Sequence, residues 1–370
     1  IYTPTHTLSL HDALPISFEF GALDYEPKKW KPQDCLKIGR AMSFEMGLSF
    51  WTDITYGEVA EQIGVDKARE LIPSYPDNAP HVLDDSSVLR HKIEKQEQNF
   101  LDIVPISGKY LDYFGEFARN MDSIRQRLSM GISGIGSNSW AIRKRKTANS
   151  GAILANDPHL DLRLPPHWYQ IHITSPDYNV TGCSLPGLPI ILSGRNDAIS
   201  WGLTNVMVDD CDFFIEKVDS VNSDFYYLPN GGRKEFDFIK DTIEIKGASD
   251  SVYYIRKTGR SRVISDVHPL NHPEEVAGFE NNNEGNKFLK NFLTFEWSPR
   301  RVSDEILAFY KLINSHNWEQ FNEALTRWGA PAQNFTYCDT AGNIGIVPTG
   351  DVPLREEKCN PNLPNPGWLE

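Results

Sequence analysis

From Ser137 to Lys217 the chain is built of short apolar or alternating runs, SNSWAI, GAILAND, WYQIHITS, LPIILSG and AISWGL, separated by Gly, Pro, Asn and Asp. These runs are short and bounded by turn residues, so they predict strands rather than helices. The stretch YYLPNGGRKEFDFIKDTIEIKG adds Asn-Gly turn chemistry and predicts hairpins. Helical spacing brackets this region. Between Trp30 and about Tyr75, Cys35, Ile38 and Met42 recur at helix intervals, Pro32 suits a first turn, and Val59 and Ile63 predict a second helix. Downstream, Ile306, Phe309, Tyr310 and Ile313 line one face behind Ser303. Phe321, Leu325 and Trp328 line the next, with Asn317 as its cap and Gly329 as its stop. QNFTYCD and GNIGIVP form a last β pair, and residues 268 to 287 read as an exposed loop. Strand runs with helices before and after them predict a layered α+β domain.

Two segments stand outside this pattern. Residues 77 to 136 are polar and irregular, with the charged run RHKIEKQEQ and a weak amphipathic pattern around LDYFGEFARNM, and they read as a linker. Residues 1 to 17, IYTPTHTLSLHDALPIS, have neither periodicity nor a signal-peptide layout. They read as a translated sequencing adapter, non-native to the chain and excluded from fold reasoning. On that reading the natural sequence starts near Phe18, and both ends are expected to be truncations.

Composition narrows the function classes. A chain of 370 residues can bury one or two cores. A formal net charge of −13 argues against nucleic acid as a partner, because phosphate neutralisation needs clustered Lys and Arg. No apolar run approaches the length of a transmembrane segment. Cys35, Cys183, Cys211, Cys338 and Cys359 show neither metal nor redox spacing and leave the compartment open.

The stretch GIGSNSWAI, residues 134 to 142, admits several readings. It lacks the Lys of a phosphate loop and the third glycine of a dinucleotide fingerprint. The chain has no G-x-S-x-G elbow and no H-E-x-x-H helix. Alone it would be a glycine turn before a strand. Three later segments follow it in order: ANDPHL (155 to 160), GRNDAISWGLTNVMVDDCDFF (194 to 214) and APAQNFTYCDTAGNIGIVPTGDVPLR (330 to 355). Together with SNSWAI they resemble the penicillin acylase (penicillin amidase) family of N-terminal nucleophile (Ntn) hydrolases. The segment WKPQDCLKIGRAMSFEMG is similar to the end of that family's α chain. The resemblance runs from about Phe18 to Glu370.

The resemblance implies a four-layer αββα Ntn-hydrolase sandwich with an N-terminal helical α-chain part. Residues 18 to 76 would end the α chain, 77 to 136 would be the linker or spacer peptide, and 137 to 370 would begin the catalytic β chain. It also implies a precursor that cleaves itself between Gly136 and Ser137 and matures into an α/β heterodimer. The freed α-amine of Ser137, titrating near about 7.7–8.0, would then serve as base for its own hydroxyl. The implied substrate is an N-acylated small molecule such as a penicillin or an acyl-homoserine lactone, hydrolysed at a linear amide. A periplasmic or secreted location follows from the resemblance alone, and no organic cofactor is implied.

Site residues carry over by motif. His159, in Asn-Asp-Pro-His, would orient the amine and hydroxyl of Ser137; in isolation it would be a turn histidine. The Asn205 backbone N–H would be one oxyanion donor, with Val206 one residue away as an alternative. The Asn334 side chain would be the other; alone it could be a turn residue, or the start of the sequon Asn334-Phe335-Thr336. Arg355 would orient Asn334 or meet a substrate carboxylate. Asp209, Asp212 and the Cys211 carbonyl would bind a structural calcium, with Glu45 or Asp53 as the α-chain ligand; otherwise VDDCDFF is a solvated acidic turn. Leu160 and Ile190 are candidates for the acyl pocket. Two rival functions stay open: a serine hydrolase with a conventional His/Asp pair, and an inactive calcium-stabilised homologue acting as a binding module. Replacing one oxyanion donor, Asn334→Ala, is expected to leave folding intact and to slow turnover roughly 100- to 1,000-fold in steady-state assays; unchanged turnover would refute the assignment.

Overall fold

The computed structural model describes residues 18–71, 114–115, 117–119, 121, 136–148, 151–160, 166–265, 279–281, 287–289, 291–355 and 359–368. The helical start is α1 (Phe18–Ala22), α2 (Pro32–Met46), α3 (Leu48–Ile63) and α4 (Val65–Leu71). Pro32 opens α2 as expected, and Gly47 separates it from α3. The β region then runs β1 (Asn138–Ile142), β2 (Ile153–Asp157), β3 (Tyr169–Thr174), β4 (Asn179–Ser184), β5 (Ser193–Arg195), β6 (Ile199–Asn205) and β7 (Cys211–Lys217). It continues with β8 (Phe225–Tyr227), β9 (Arg233–Glu235), β10 (Asp237–Ile243), β11 (Ser251–Lys257), β12 (Phe279–Asn281), β13 (Lys287–Leu289) and β14 (Asn291–Trp297). Helices α5 (Glu305–Ile313) and α6 (Trp318–Leu325) precede β15 (Gln333–Asp339), β16 (Ile344–Thr349) and β17 (Asn365–Pro366).

Among the described residues the strands form a six-stranded antiparallel sheet, in the order β16-β15-β6-β5-β4-β3, a three-stranded sheet, β14-β7-β17, and four two-stranded pairs, β1-β2, β8-β9, β10-β11 and β12-β13. Alternation decides what each face of the larger sheet meets. Ile199, Trp201 and Leu203 of β6 and Phe335 and Tyr337 of β15 point to one face. There they bury against Ala308, Phe309 and Leu312 of α5 and Phe321, Ala324 and Leu325 of α6. The opposite face carries Gly202, over which the Asn156 side chain of β2 lies, so the β1–β2 hairpin stacks there. Helices, sheet and hairpin therefore follow one another as layers of an α+β fold.

A second core joins the helical start to the smaller sheet. Phe50, Trp51 and Ile54 of α3 pack on Phe213 and Ile215 of β7 and on Leu293 of β14. Phe114, Phe117 and Ala118 complete it, and Arg119 pairs with Glu61 of α3. Most of the segment read as a linker, residues 77–136, lies outside the described residues, but the aromatic stripe of LDYFGEFARNM is core. Gly57 marks the contact, since a Cβ there would meet the Phe114 ring.

Three local expectations shift. LPIILSG pairs only from Ser193, because Pro186, Gly187 (φ 92°) and Pro189 hold the preceding residues in a turn. Helix α5 is capped by Asp304, whose side chain accepts the Leu307 N–H, rather than by Ser303. Tyr310 is 64% exposed, and Leu312 takes the buried place expected for it. Asn317 caps α6 as expected.

Phe213 is the hub of the second core, with ring centroids 5.2 Å from Phe50, 5.2 Å from Phe114 and 5.3 Å from Phe295. Phe213→Ala is expected to cost about 3–5 kcal/mol in denaturant unfolding, as full truncations of buried aromatics do. A cost under about 1 kcal/mol would contradict the hub role.

Candidate active site

The pairing of β6 with β15 sets Thr204 opposite Asn334 and Asn205 opposite Gln333. At this end of the strands the backbone N–H of Asn205 donates to Ser137 Oγ at 3.3 Å. The Asn334 amide donates to Thr204 Oγ1 at 3.2 Å and approaches the Asn205 carbonyl at 3.5 Å. Asn205 thus links Ser137, the residue before β1, to the Asn334 side chain on β15. Val206 is not an equivalent donor: its N–H is spent on the Ala332 carbonyl at 3.3 Å.

The Asn205 side chain locks this turn. Its Nδ2 donates to the Met46 carbonyl at the end of α2 (2.9 Å), and its Oδ1 accepts the Met207 N–H (2.9 Å). Met207 sits at φ 58°, a left-handed conformation that a side chain of this size adopts only under constraint. Neither Met46 nor Met207 is signalled by motif. The positive φ accompanies the local bond from the Met207 N–H to the Asn205 side chain, and that side chain is in turn held by Met46.

His159 lies against the residue before Ser137. A Cβ on Gly136 would fall 2.4 Å from His159 Nε2, and the Gly136 N–H donates to the His159 carbonyl at 3.2 Å. Only glycine leaves the imidazole this space. The other ring nitrogen, Nδ1, meets the Asp157 carbonyl at 3.1 Å and Asp157 Oδ2 at 3.3 Å. Among the described residues the hydrogen bond on Ser137 Oγ comes from Asn205, and none joins the hydroxyl to the Asp157–His159 pair.

Gly136 and Ser137 open onto a cavity of about 320 Å³. Its walls are mostly apolar, with Met42 and Met46 of α2, Leu160, Trp168, Ile190 and Leu203, and Arg40, Arg300, Arg301 and Glu305 also line it. Both sequence candidates for an acyl pocket, Leu160 and Ile190, are among them. A cavity of this size with a mostly apolar lining suits a small ligand whose apolar part is buried and whose polar part meets Ser137.

The residues expected around a cation form a separate cluster behind the site. Arg355 does not reach Asn334. Its guanidinium meets Asp212 Oδ1 and Oδ2 at 2.9 and 3.0 Å and Asp209 Oδ2 at 2.8 Å, and donates to the Asp209 and Cys211 carbonyls, each at 3.3 Å. Asp210 is tied separately, accepting from Ser49 Oγ at 2.6 Å and Trp297 Nε1 at 3.2 Å. From α3, Asp53 joins the cluster: burial first, then the Asp209 and Asp212 charges, push its carboxyl well above the usual range. Burial also raises Asp212, to about 6, against the opposing pull of Arg355. Several carboxylates thus share one guanidinium, and Asp209 Oδ1 is buried with no hydrogen-bond partner. An all-oxygen, net-negative set with an orphaned carboxylate oxygen fits a hard cation in donor chemistry. Among the described residues no three such groups already close into a shell; Arg355 bridges Asp209 and Asp212 instead.

Comparison with known proteins identifies the family. The Penicillin amidase family profile matches residues 5–370, beginning inside the segment read as adapter. An acyl-homoserine lactone acylase of Pseudomonas aeruginosa is 27% identical over 96% of this chain and 39% of its own length. Penicillin G acylase of Escherichia coli is 28% identical over 62% of this chain and 25% of its own. Among solved structures, a thermostable penicillin G acylase from Alcaligenes faecalis aligns with a TM-score of 0.51 at 22% identity, covering 62% of this chain and 38% of that one, and shares the Ntn-hydrolase fold. The chain spans well under half the length of these relatives. With the match running over nearly its whole length, this chain belongs to the penicillin amidase family.

Proposed function

We propose that the protein is an N-terminal-serine amidohydrolase that releases an acyl group from an N-acylated small molecule. The observation that carries this reading is the Asn205 N–H on Ser137 Oγ at 3.3 Å, at the wall of an apolar cavity. In maturation, Ser137 Oγ adds to the Gly136 carbonyl carbon and the Gly136–Ser137 C–N bond breaks. Water hydrolyses the resulting ester, leaving a Gly136 carboxylate and a free Ser137 amine. In turnover that amine takes the hydroxyl proton as Oγ attacks the substrate amide carbon. The leaving amine carries the proton away, and water releases the acyl group. The Asn205 N–H and the Asn334 amide supply the oxyanion donors, which act on charge present only in the transition state. His159, held through Nδ1 by Asp157, orients the new amine beside Gly136.

The apolar cavity favours a hydrocarbon acyl group, in keeping with relatives named for acyl-homoserine lactones and penicillin G. The two chains produced by cleavage stay together as a heterodimer, because Phe50, Trp51 and Ile54 on one side bury against Phe213 and Leu293 on the other. Calcium belongs to the same proposal: Asp53, Asp209, Asp212 and the Cys211 carbonyl would hold it, and it would neutralise their buried charge behind the site. No helix among the described residues is long and apolar enough to cross a membrane, and a periplasmic or secreted location is part of the proposal.

N-terminal sequencing of the larger product of the full-length gene is expected to start at Ser137, and Ser137→Ala is expected to stay uncut; an intact single chain that still hydrolyses amides would sink the reading. Intact-mass analysis is expected to find residues 114–121 retained in the smaller product, since Phe114 and Phe117 are core. A smaller product lacking them would contradict this. Calcium added to chelator-stripped protein is expected to raise Tm, and Asp209→Ala to abolish the gain; an identical rise in that variant argues against the site.

A further inference from the structure

We propose that Asn156 is the positioning residue that sets the Ser137 hydroxyl against the Asn205 N–H. Strand β5 pairs with β6 only at Gly194↔Trp201 and Arg195↔Ser200. Beyond that point the side chain of Asn156, reaching across from β2, takes both backbone groups of Leu203. Its Oδ1 accepts the Leu203 N–H at 3.2 Å, and its Nδ2 donates to the Leu203 carbonyl at 3.0 Å. The amide thus stands in for one residue of a missing strand. The same Nδ2 donates to the Asn138 carbonyl at 3.0 Å, and the same Oδ1 accepts from Ser193 Oγ at 2.8 Å. Two donors and two acceptor positions are all engaged, the full capacity used here of a side-chain amide.

Placement gives these bonds their meaning. Asn138 follows Ser137 directly, and Leu203 lies two residues before Asn205 on the same strand. One planar amide therefore holds the backbone beside the nucleophile and the backbone beside the oxyanion donor. A carboxylate of the same shape could not do this, because it has no N–H to give to the two carbonyls. Gly202 makes the approach possible: a Cβ there would sit 2.7 Å from Asn156 Cβ. The inference rests on Ser137 being the proposed nucleophile.

The test compares Asn156→Asp, Gly202→Ala and Asn196→Asp in the full-length protein, reading kcat, KM and Tm with a medium-chain acyl 4-nitroanilide. Asn196 is the matched control at the far end of β6. Its amide donates to the Ile313 and Ser315 carbonyls (3.0 and 2.8 Å) and accepts the Ala198 and Ile199 N–H groups (2.9 and 2.8 Å). Asn156→Asp and Gly202→Ala are expected to lower kcat about 10- to 100-fold with KM within about threefold, the pattern of misplaced reacting groups. Asn196→Asp is expected to lower Tm while keeping kcat. Wild-type kcat in Asn156→Asp or Gly202→Ala, or an equal kcat loss in Asn196→Asp, overturns the proposal. If Asn156→Asp does not fold, Gly202→Ala carries the test, since it removes no hydrogen-bonding group. A sulfonyl fluoride that inactivates the wild type without modifying Ser137 would overturn the nucleophile instead, which separates the two failures.

Discussion

The antiparallel pairing of β6 with β15 is what the candidate site depends on. Its register sends Trp201, Leu203, Phe335 and Tyr337 under the helices and leaves Gly202, Thr204 and Asn334 on the face toward the hairpin. Slipping one strand by a residue would turn Asn334 into the core and Phe335 toward Ser137. Fully burying one large apolar side chain stabilises by about 1.5–3 kcal/mol, so four of them rival the whole stability of a domain. Hydrophobic burial on one face therefore fixes the polar geometry on the other. The small residue at Gly202 then lets a side chain from the hairpin close onto the sheet.

The two cores divide the labour. The core under α5 and α6 fixes the strand ends that carry Asn205 and Asn334. The aromatic core around Phe213 binds the helical start to β7 and seats the acidic cluster, because Cys211 and Asp212 immediately precede Phe213 on that strand. Arg355 ties the turn after β16 to the same cluster and so braces the region from behind, without touching the hydroxyl.

What was legible in the sequence followed the reach of each signal. Two-residue alternation located β1, β2, β3, β6, β15 and β16, and Asn-Gly chemistry located the β8–β9 turn, where Gly231 takes φ 77°. Motif order alone sets Ser137, Asn205 and Asn334 in one frame. Short windows failed where a turn interrupts an apolar run, as at Pro186-Gly187, and where a nine-residue helix leaves its buried stripe ambiguous, as at Tyr310. The aromatic residues near 114 sit in a polar context, and their burial depends on Phe213 about a hundred residues away. Asn156 and Met46 were out of reach for the same reason. Their roles are contacts at sequence separations of 47 and 159 residues, which no local pattern encodes.

The bond from the Asn205 side chain to the Met46 carbonyl crosses from one side of the Gly136–Ser137 peptide to the other. Helix α2 likewise walls a cavity whose reactive end is Ser137, just before β1. If that peptide is severed after folding, the finished pair inherits a geometry that one continuous thread assembled. Neither half then holds the instructions to rebuild it. The endurance of such a molecule is a clock rather than a balance, set by how slowly it comes apart and not by how readily it could re-form.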